Sequence, residues 1–229
     1  SLVLTTLFFK ESLPIEKQSK FNLSKVNSDF KTVLTNRKFW ELSLSISFLF
    51  AAYFVFVSNS SVLYVKEFSV SKDLFPFYQG SLLFSFMVGS LTCSHFLRKI
   101  GEPKVKFFGI RISAFGVFCF VVSCLLVSKN PFWMTFSMSF FSFGCAWVMN
   151  CYFTEAMGLM PEMKGVSASL LTSFRLFFAS IVIGVTSYFY DKTIFPVMIA
   201  VSILLLVSLV LLKGYEKRNR LSFLRKNTP

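Results

Sequence analysis

Six apolar runs follow one another along the chain, separated by short polar connections. Each approaches or exceeds the roughly 20 residues of helix needed to cross a hydrocarbon core of about 30 Å. They cover Phe39–Asn59, Phe75–His95, Val105–Val127, Phe132–Tyr152, Val166–Tyr188 and Ile194–Leu212. Lipid offers backbone groups no hydrogen-bonding partner, so a run of this kind must satisfy itself as a helix. The pattern predicts an all-α integral membrane protein, a six-transmembrane-helix bundle over residues 39–213. The apolar string Ser1–Phe9 is expected to be the end of a preceding transmembrane helix, with a polar loop over 10–38 and a polar tail over 214–229. Because the chain opens inside an apolar segment and without Met, it is expected to be a fragment or the product of a truncated gene.

Charge adds an orientation. Lys and Arg number 24 against 11 Asp and Glu. Eighteen of the cations fall on one side of the alternating connections. They are Lys10, Lys17, Lys20, Lys25, Lys31, Arg37 and Lys38 before the first full run; Arg98, Lys99, Lys104 and Lys106 after the second; Lys164 after the fourth; and Lys213, Lys217, Arg218, Arg220, Arg225 and Lys226 at the end. The other side has Lys66, Lys72, Lys129 and Lys192. Loops rich in Lys and Arg stay in the cytoplasm, so the loop over 10–38 and the tail are expected to be cytoplasmic. This placement also argues against nucleic acid as a partner and for a lipid bilayer, in keeping with 54% apolar residues and a mean hydropathy of +0.63.

The chemistry of enzymes and cofactors has little to build on. Five cysteines (Cys93, Cys119, Cys124, Cys145, Cys151) lie in or beside the runs without paired metal-site spacing, and His95 is the one histidine. No metal site, catalytic group or cofactor is expected, and the chain is not expected to be an enzyme.

Polar residues inside the runs carry more information, because burying them in lipid is costly. Arg175 lies about ten residues past the start of its run, hence roughly 15 Å deep at 1.5 Å per residue. Arg111 sits only about six residues in, where a long side chain reaches back to the interface. Arg175 either faces a central cavity or pairs with a carboxylate outside this sequence. Asn150, one turn after Trp147, either contacts substrate or bonds another helix. Glu155 is a candidate for gating or charge relay. Tyr53, Ser58 and Asn59 either form an outer gate or are solvated helix-end residues. Ser81, Ser85 and Gly89, and again Gly165, Ser167, Ala168 and Ser169, offer small-residue faces for close helix packing.

Several strings together resemble one family. A basic loop of about 30 residues followed by six spans is similar to the second half of a major facilitator transporter. Phe8-Phe9-Lys10-Glu11-Ser12-Leu13-Pro14 resembles the string that closes the sixth helix of the bicyclomycin-resistance-type drug/proton antiporters. Phe56-Val57-Ser58-Asn59-Ser60-Ser61 resembles the end of their seventh helix, with Asn59 and Ser61 in place of Gly and Pro. Arg98-Lys99-Ile100-Gly101 is similar to their basic turn between the eighth and ninth helices, and the segment from Pro161 to Leu170 to the start of their eleventh.

The resemblance implies the C-terminal half of a secondary transporter in the cell inner membrane. Its cargo would be a small molecule, with protons as the coupling ion and a matching N-terminal six-helix half as partner. The family usually has Gln at the position of Arg175 and often Asn at that of Asn150. Its usual Glu falls three residues after Glu155, where this chain has Gly158. The coupling carboxylate of the resembled antiporters belongs to the first six helices. Three classes stay open: part of a drug or metabolite exporter, a nutrient importer of the same fold, or a non-transporting remnant.

Overall fold

The computed structural model describes residues 23–127 and 130–227, with side chains from 27 to 219 within those limits. The expected helix end at Ser1–Phe9 lies outside the described residues. Seven α-helices follow in order: α1 Leu23–Thr35, α2 Arg37–Val62, α3 Phe75–Ile100, α4 Glu102–Leu126, α5 Pro131–Gly158, α6 Lys164–Tyr188 and α7 Phe195–Asn227. The six helices α2 to α7 are each long and apolar enough to cross a membrane.

The helices outrun the apolar patterns that predict them. Asn36 starts α2 ahead of Phe39, its side chain accepting from the Phe39 N–H at 3.2 Å. A π-helical turn over Leu63–Glu67 then prolongs it. Asn130 caps α5 through the Phe132 N–H at 3.0 Å, just before Pro131, whose missing donor costs nothing in a first turn. Gly101 alone separates α3 from α4, at φ 82°, a left-handed backbone that residues with a Cβ resist. Two expected polar segments are partly helical. The loop over 10–38 contains α1, and α7 runs unbroken through the tail to Asn227. Hydrogen bonding along a helix does not stop where the residues become charged, so apolarity marks the membrane portion rather than the helix end.

Two helices occupy the centre. In the apolar stretches of α2 and α5, 67% of residues are buried, against 17% in α3 and 11% in α6. Helix α2 packs mainly on α7 and α6, and α5 mainly on α4 and α3. Exchanging each of the first three spanning helices for the one three later leaves this pattern unchanged, the signature of two repeated three-helix units. Hydroxyls tie the layers. Ser208 of α7 donates to the Ser45 carbonyl of α2 at 2.8 Å, and Ser142 of α5 to the Leu82 carbonyl of α3 at 2.9 Å.

Both ends of the bundle are defined by contacts. Arg218 of α7 pairs with Glu41 of α2 at 3.0 Å, placing the chain's return beside its start. At the other end, Tyr190 donates to Glu67 at 3.3 Å. Next to it, the Thr193 N–H and hydroxyl bond the Asp191 carboxylate and hold it below its ordinary pKa.

Helix approach depends on glycines. A Cβ on Gly89 would meet the Phe143 carbonyl oxygen at 2.7 Å, in accord with the small-residue face expected there. Gly165 departs from expectation, because nothing lies within 4 Å of a Cβ at that position. The tightest crossing is between α4 and α5, where a Cβ on Gly116 would sit 2.3 Å from the Phe141 nitrogen and one on Gly144 2.5 Å from the Ser113 nitrogen.

Candidate functional site

Arg175 is the twelfth of the 25 residues of α6, so it stands near the middle of its span. Its guanidinium lies 4.4 Å from the ring centre of Phe50 on α2 and 5.8 Å from that of Phe153 on α5. A cation over an aromatic face is attracted by the ring quadrupole, more so where water is scarce. Its Nε is buried without a hydrogen-bond partner, and among the described residues no carboxylate pairs with it. The cation is thus held by rings and is free to receive an acceptor.

Tyr53 belongs to the same group. It lies one turn from Phe50 on α2, with its ring 5.5 Å from Phe86 of α3 and 5.5 Å from Phe54. Its hydroxyl is buried beside Ser142 of α5 without a hydrogen bond of good geometry, and Cys145 of α5 neighbours both Tyr53 and Arg175. Two polar groups short of partners therefore face an aromatic wall formed by α2, α3 and α5.

Trp147 and Asn150 lie elsewhere, on the face of α5 turned to α3. The Trp147 indole N–H donates to the Thr92 hydroxyl at 3.1 Å, and its ring packs 5.1 Å from Phe96. The Asn150 amide donates to the Ser90 hydroxyl at 2.9 Å. This is a helix-to-helix bond, one of the two roles open to Asn150 in the sequence. Asn59 returns its amide to the Val55 carbonyl of its own helix at 2.8 Å and is buried, so it is not a solvated helix end. Ser58 is exposed.

Tyr64, in the turn that prolongs α2, makes a separate set of contacts with α5 and α3. Its hydroxyl bonds Thr135 of α5, and its ring meets those of Tyr78 at 5.3 Å and Phe68 at 5.6 Å. Tyr64 follows the apolar run that the sequence marks as a span, where a tyrosine reads as interfacial.

Glu155 is the junction of the opposite end. It accepts from Lys106 of α4 at 2.5 Å and from the Tyr215 hydroxyl of α7 at 2.9 Å. Lys106 also pairs with Glu102 at 2.5 Å and lies 4.5 Å above the Tyr152 ring, whose hydroxyl bonds Glu216. Three helices therefore meet at Glu155: α4 through Lys106, α7 through Tyr215, and α5, which carries the carboxylate.

A six-helix bundle with two central helices, repeated units and a mid-span cation invites comparison with known families. The profile of the Major Facilitator Superfamily matches residues 1–184. The chain belongs to the Major Facilitator Superfamily. Relatives within it include the multidrug transporter MdfA of Yersinia pestis bv. Antiqua (strain Angola), 25% identical over 128 residues, which are 56% of this chain and 31% of that protein. An uncharacterized MFS-type transporter, YdgK of Bacillus subtilis (strain 168), is 23% identical over 181 residues, 79% of this chain and 45% of the relative. A bicyclomycin resistance protein homolog of Haemophilus influenzae is 20% identical over 205 residues, 89% and 51%. The chain thus spans about half or less of the curated relatives it matches. In the superfamily, substrate sites lie near the bilayer midplane at the interface of repeats. Arg175 and Tyr53 have that depth, whereas Glu155 and Tyr64 stand near the two ends.

Proposed function

We propose that this chain is the C-terminal six-helix half of a secondary transporter that moves a small molecule across the cell inner membrane. It acts with an N-terminal half that packs on the sparsely buried helices α3 and α6. The complete protein exports a drug or metabolite, in keeping with relatives that are a multidrug transporter and a bicyclomycin resistance protein homolog, and the resemblance to drug/proton antiporters implies exchange for protons. The coupling carboxylate resides in the other half, since no Asp or Glu occupies the centre of a full span here. One observation carries the reading. Arg175 is an unpaired cation at mid-depth, set on aromatic rings between α2, α5 and α6. Tyr53 supplies a second polar contact, and Glu155 with Lys106 forms an inner latch that opens when cargo is released.

The Arg175 charge repels lipophilic cations and favours neutral or anionic aromatic compounds. In a full-length transporter containing this chain, Arg175→Gln is expected to preserve membrane abundance and shift transport toward cationic cargo by roughly tenfold, the effect of losing one desolvated contact of about 1.5 kcal/mol. Arg175→Lys is milder, because charge is kept while the planar fork is lost. Efflux assays with matched cationic and anionic dyes check both. Unchanged selectivity with reduced abundance rejects the cavity role.

An import direction is the second reading, favoured if the preferred compound is a small anion. Uptake of that anion by vesicles along an inward proton gradient separates the two.

The cytoplasmic loop and tail are a further part of the proposal. Reporter fusions at Lys25 and Arg220 are expected to report the cytoplasm at both positions, given the eighteen-to-four split of cations. Fusions on opposite sides reject the topology.

A further inference from the structure

A groove of about 1260 Å³ opens between α4 and α7 at the end of the bundle that carries Glu155. It exceeds the roughly 300–1,000 Å³ of a small-molecule pocket. Its walls separate by chemistry. Toward the bundle end stand Lys38, Glu102, Lys106, Glu155 and Glu216. Toward the middle of the membrane the lining becomes Phe107, Ile110 and Ala114 on α4 and Leu209 on α7.

The carboxylates in this groove are already engaged. Glu102 and Glu155 share Lys106, and Glu216 takes the Tyr152 hydroxyl. Lys38 donates to Asn219 at 3.3 Å. Two lining cations, Arg111 and Lys213, pair with none of the described carboxylates, and both are exposed. The Arg111 guanidinium folds back over the Phe107 ring at 3.8 Å, one turn toward the charged end. Beyond them the exposed apolar side chains continue, Phe115 and Phe118 along α4 and Leu206 and Val210 along α7. A pair of unneutralised cations above an apolar trough, at the depth where headgroups give way to chains, matches one amphiphile.

We propose that the α4–α7 groove binds an anionic phospholipid, its phosphate held by Arg111 and Lys213 and its acyl chains laid along α4 and α7. Basic pockets between transmembrane helices on the cytoplasmic side are suited to anionic headgroups. The inference rests on the proposed cytoplasmic placement of this end of the bundle and shares Lys106 and Glu155 with the proposed latch, but it does not involve Arg175 or α6, so lipid retention and transport selectivity can fail separately.

Phosphatidylglycerol is the probe. The purified full chain is equilibrated in mixed phosphatidylglycerol–phosphatidylethanolamine nanodiscs, and lipid retained after gentle release is counted by native mass spectrometry. The expected result is selective retention of phosphatidylglycerol. Arg111→Gln with Lys213→Gln lowers it about tenfold to thirtyfold, since each cation near the surface contributes on the order of 1 kcal/mol. The control pair Arg98→Gln with Lys99→Gln, exposed cations outside the groove, leaves it unchanged. Ala114→Trp keeps both charges and obstructs the apolar trough, so it too lowers retention. Equal retention of phosphatidylethanolamine, an equal loss in the control pair, or full retention in either groove variant overturns the proposal. Displacement by excess inorganic phosphate also overturns it, by showing a soluble-anion site.

Discussion

Replacing Gly116 by Ala is expected to destabilise the bundle by about 3 kcal/mol, at the upper end of what overpacking costs, because the clash is with backbone. An added Cβ would stand 2.3 Å from the Phe141 nitrogen and 2.7 Å from its Cα, and neither can move without parting α4 from α5. Flexible side chains give way; a crossing of two main chains does not. Gly80→Ala provides the contrast, since nothing lies within 4 Å of its Cβ and it sits inside α3. There the change is expected to be neutral or to stabilise by about 0.5–1 kcal/mol through helix propensity. Unfolding in mixed micelles by a denaturing detergent measures both. Equal midpoints for the two variants would refute the close crossing.

Removing Lys106 is the second large effect. The lysine is 11% exposed and reaches two carboxylates, Glu102 and Glu155. Lys106→Met leaves those like charges facing each other beside the Tyr152 ring. Stripping one partner from a fully buried pair costs about 3–5 kcal/mol. Glu155 is 20% exposed and keeps its bond from Tyr215, so about 2 kcal/mol is expected here. Adding Glu155→Gln to Lys106→Met should restore roughly half of that loss, by removing the stranded charge. A double-mutant cycle on detergent unfolding checks it, and additive losses would mean that the two residues do not act together.

The six spans were legible because the bilayer imposes a length, and lengths can be counted in a sequence. Arg175 was legible for a related reason: a charge in mid-span is expensive, so its presence alone carries meaning. The partners of the other polar residues were not legible, for a different physical reason. Trp147 and Asn150 look as exceptional in their run as Arg175 does. Their donors are met by Thr92 and Ser90, some sixty residues earlier, and a single sequence does not display such pairings. Tyr64 follows its apolar run, and its contacts with Thr135 and Tyr78 are visible only with those residues in place. The crossing at Gly116 did leave a trace. Gly109, Ser113 and Gly116 put small residues on one face of α4 at helical spacing, whereas in the longer small-residue string that starts at Gly165 a Cβ on that glycine meets nothing within 4 Å, although Ser167 is buried.

The exchange pattern in the packing has a bearing on how the protein is made. Helix α2 finds its principal neighbours in α6 and α7, which emerge a hundred residues after it, whereas α3 and α4 turn to α5. Neither consecutive triplet encloses a core of its own. During synthesis α2 must wait in the membrane with Ser43, Ser45 and Ser47, all fully buried in the finished bundle, facing lipid or a chaperoning surface. Interrupting translation after Leu126 would leave α2, α3 and α4 without the later helices against which they are buried. Burial of α2 is thus completed only once α6 and α7 are in the membrane, and quality control of this bundle therefore has to tolerate a central helix that waits, polar groups unmet, for partners made a hundred residues later.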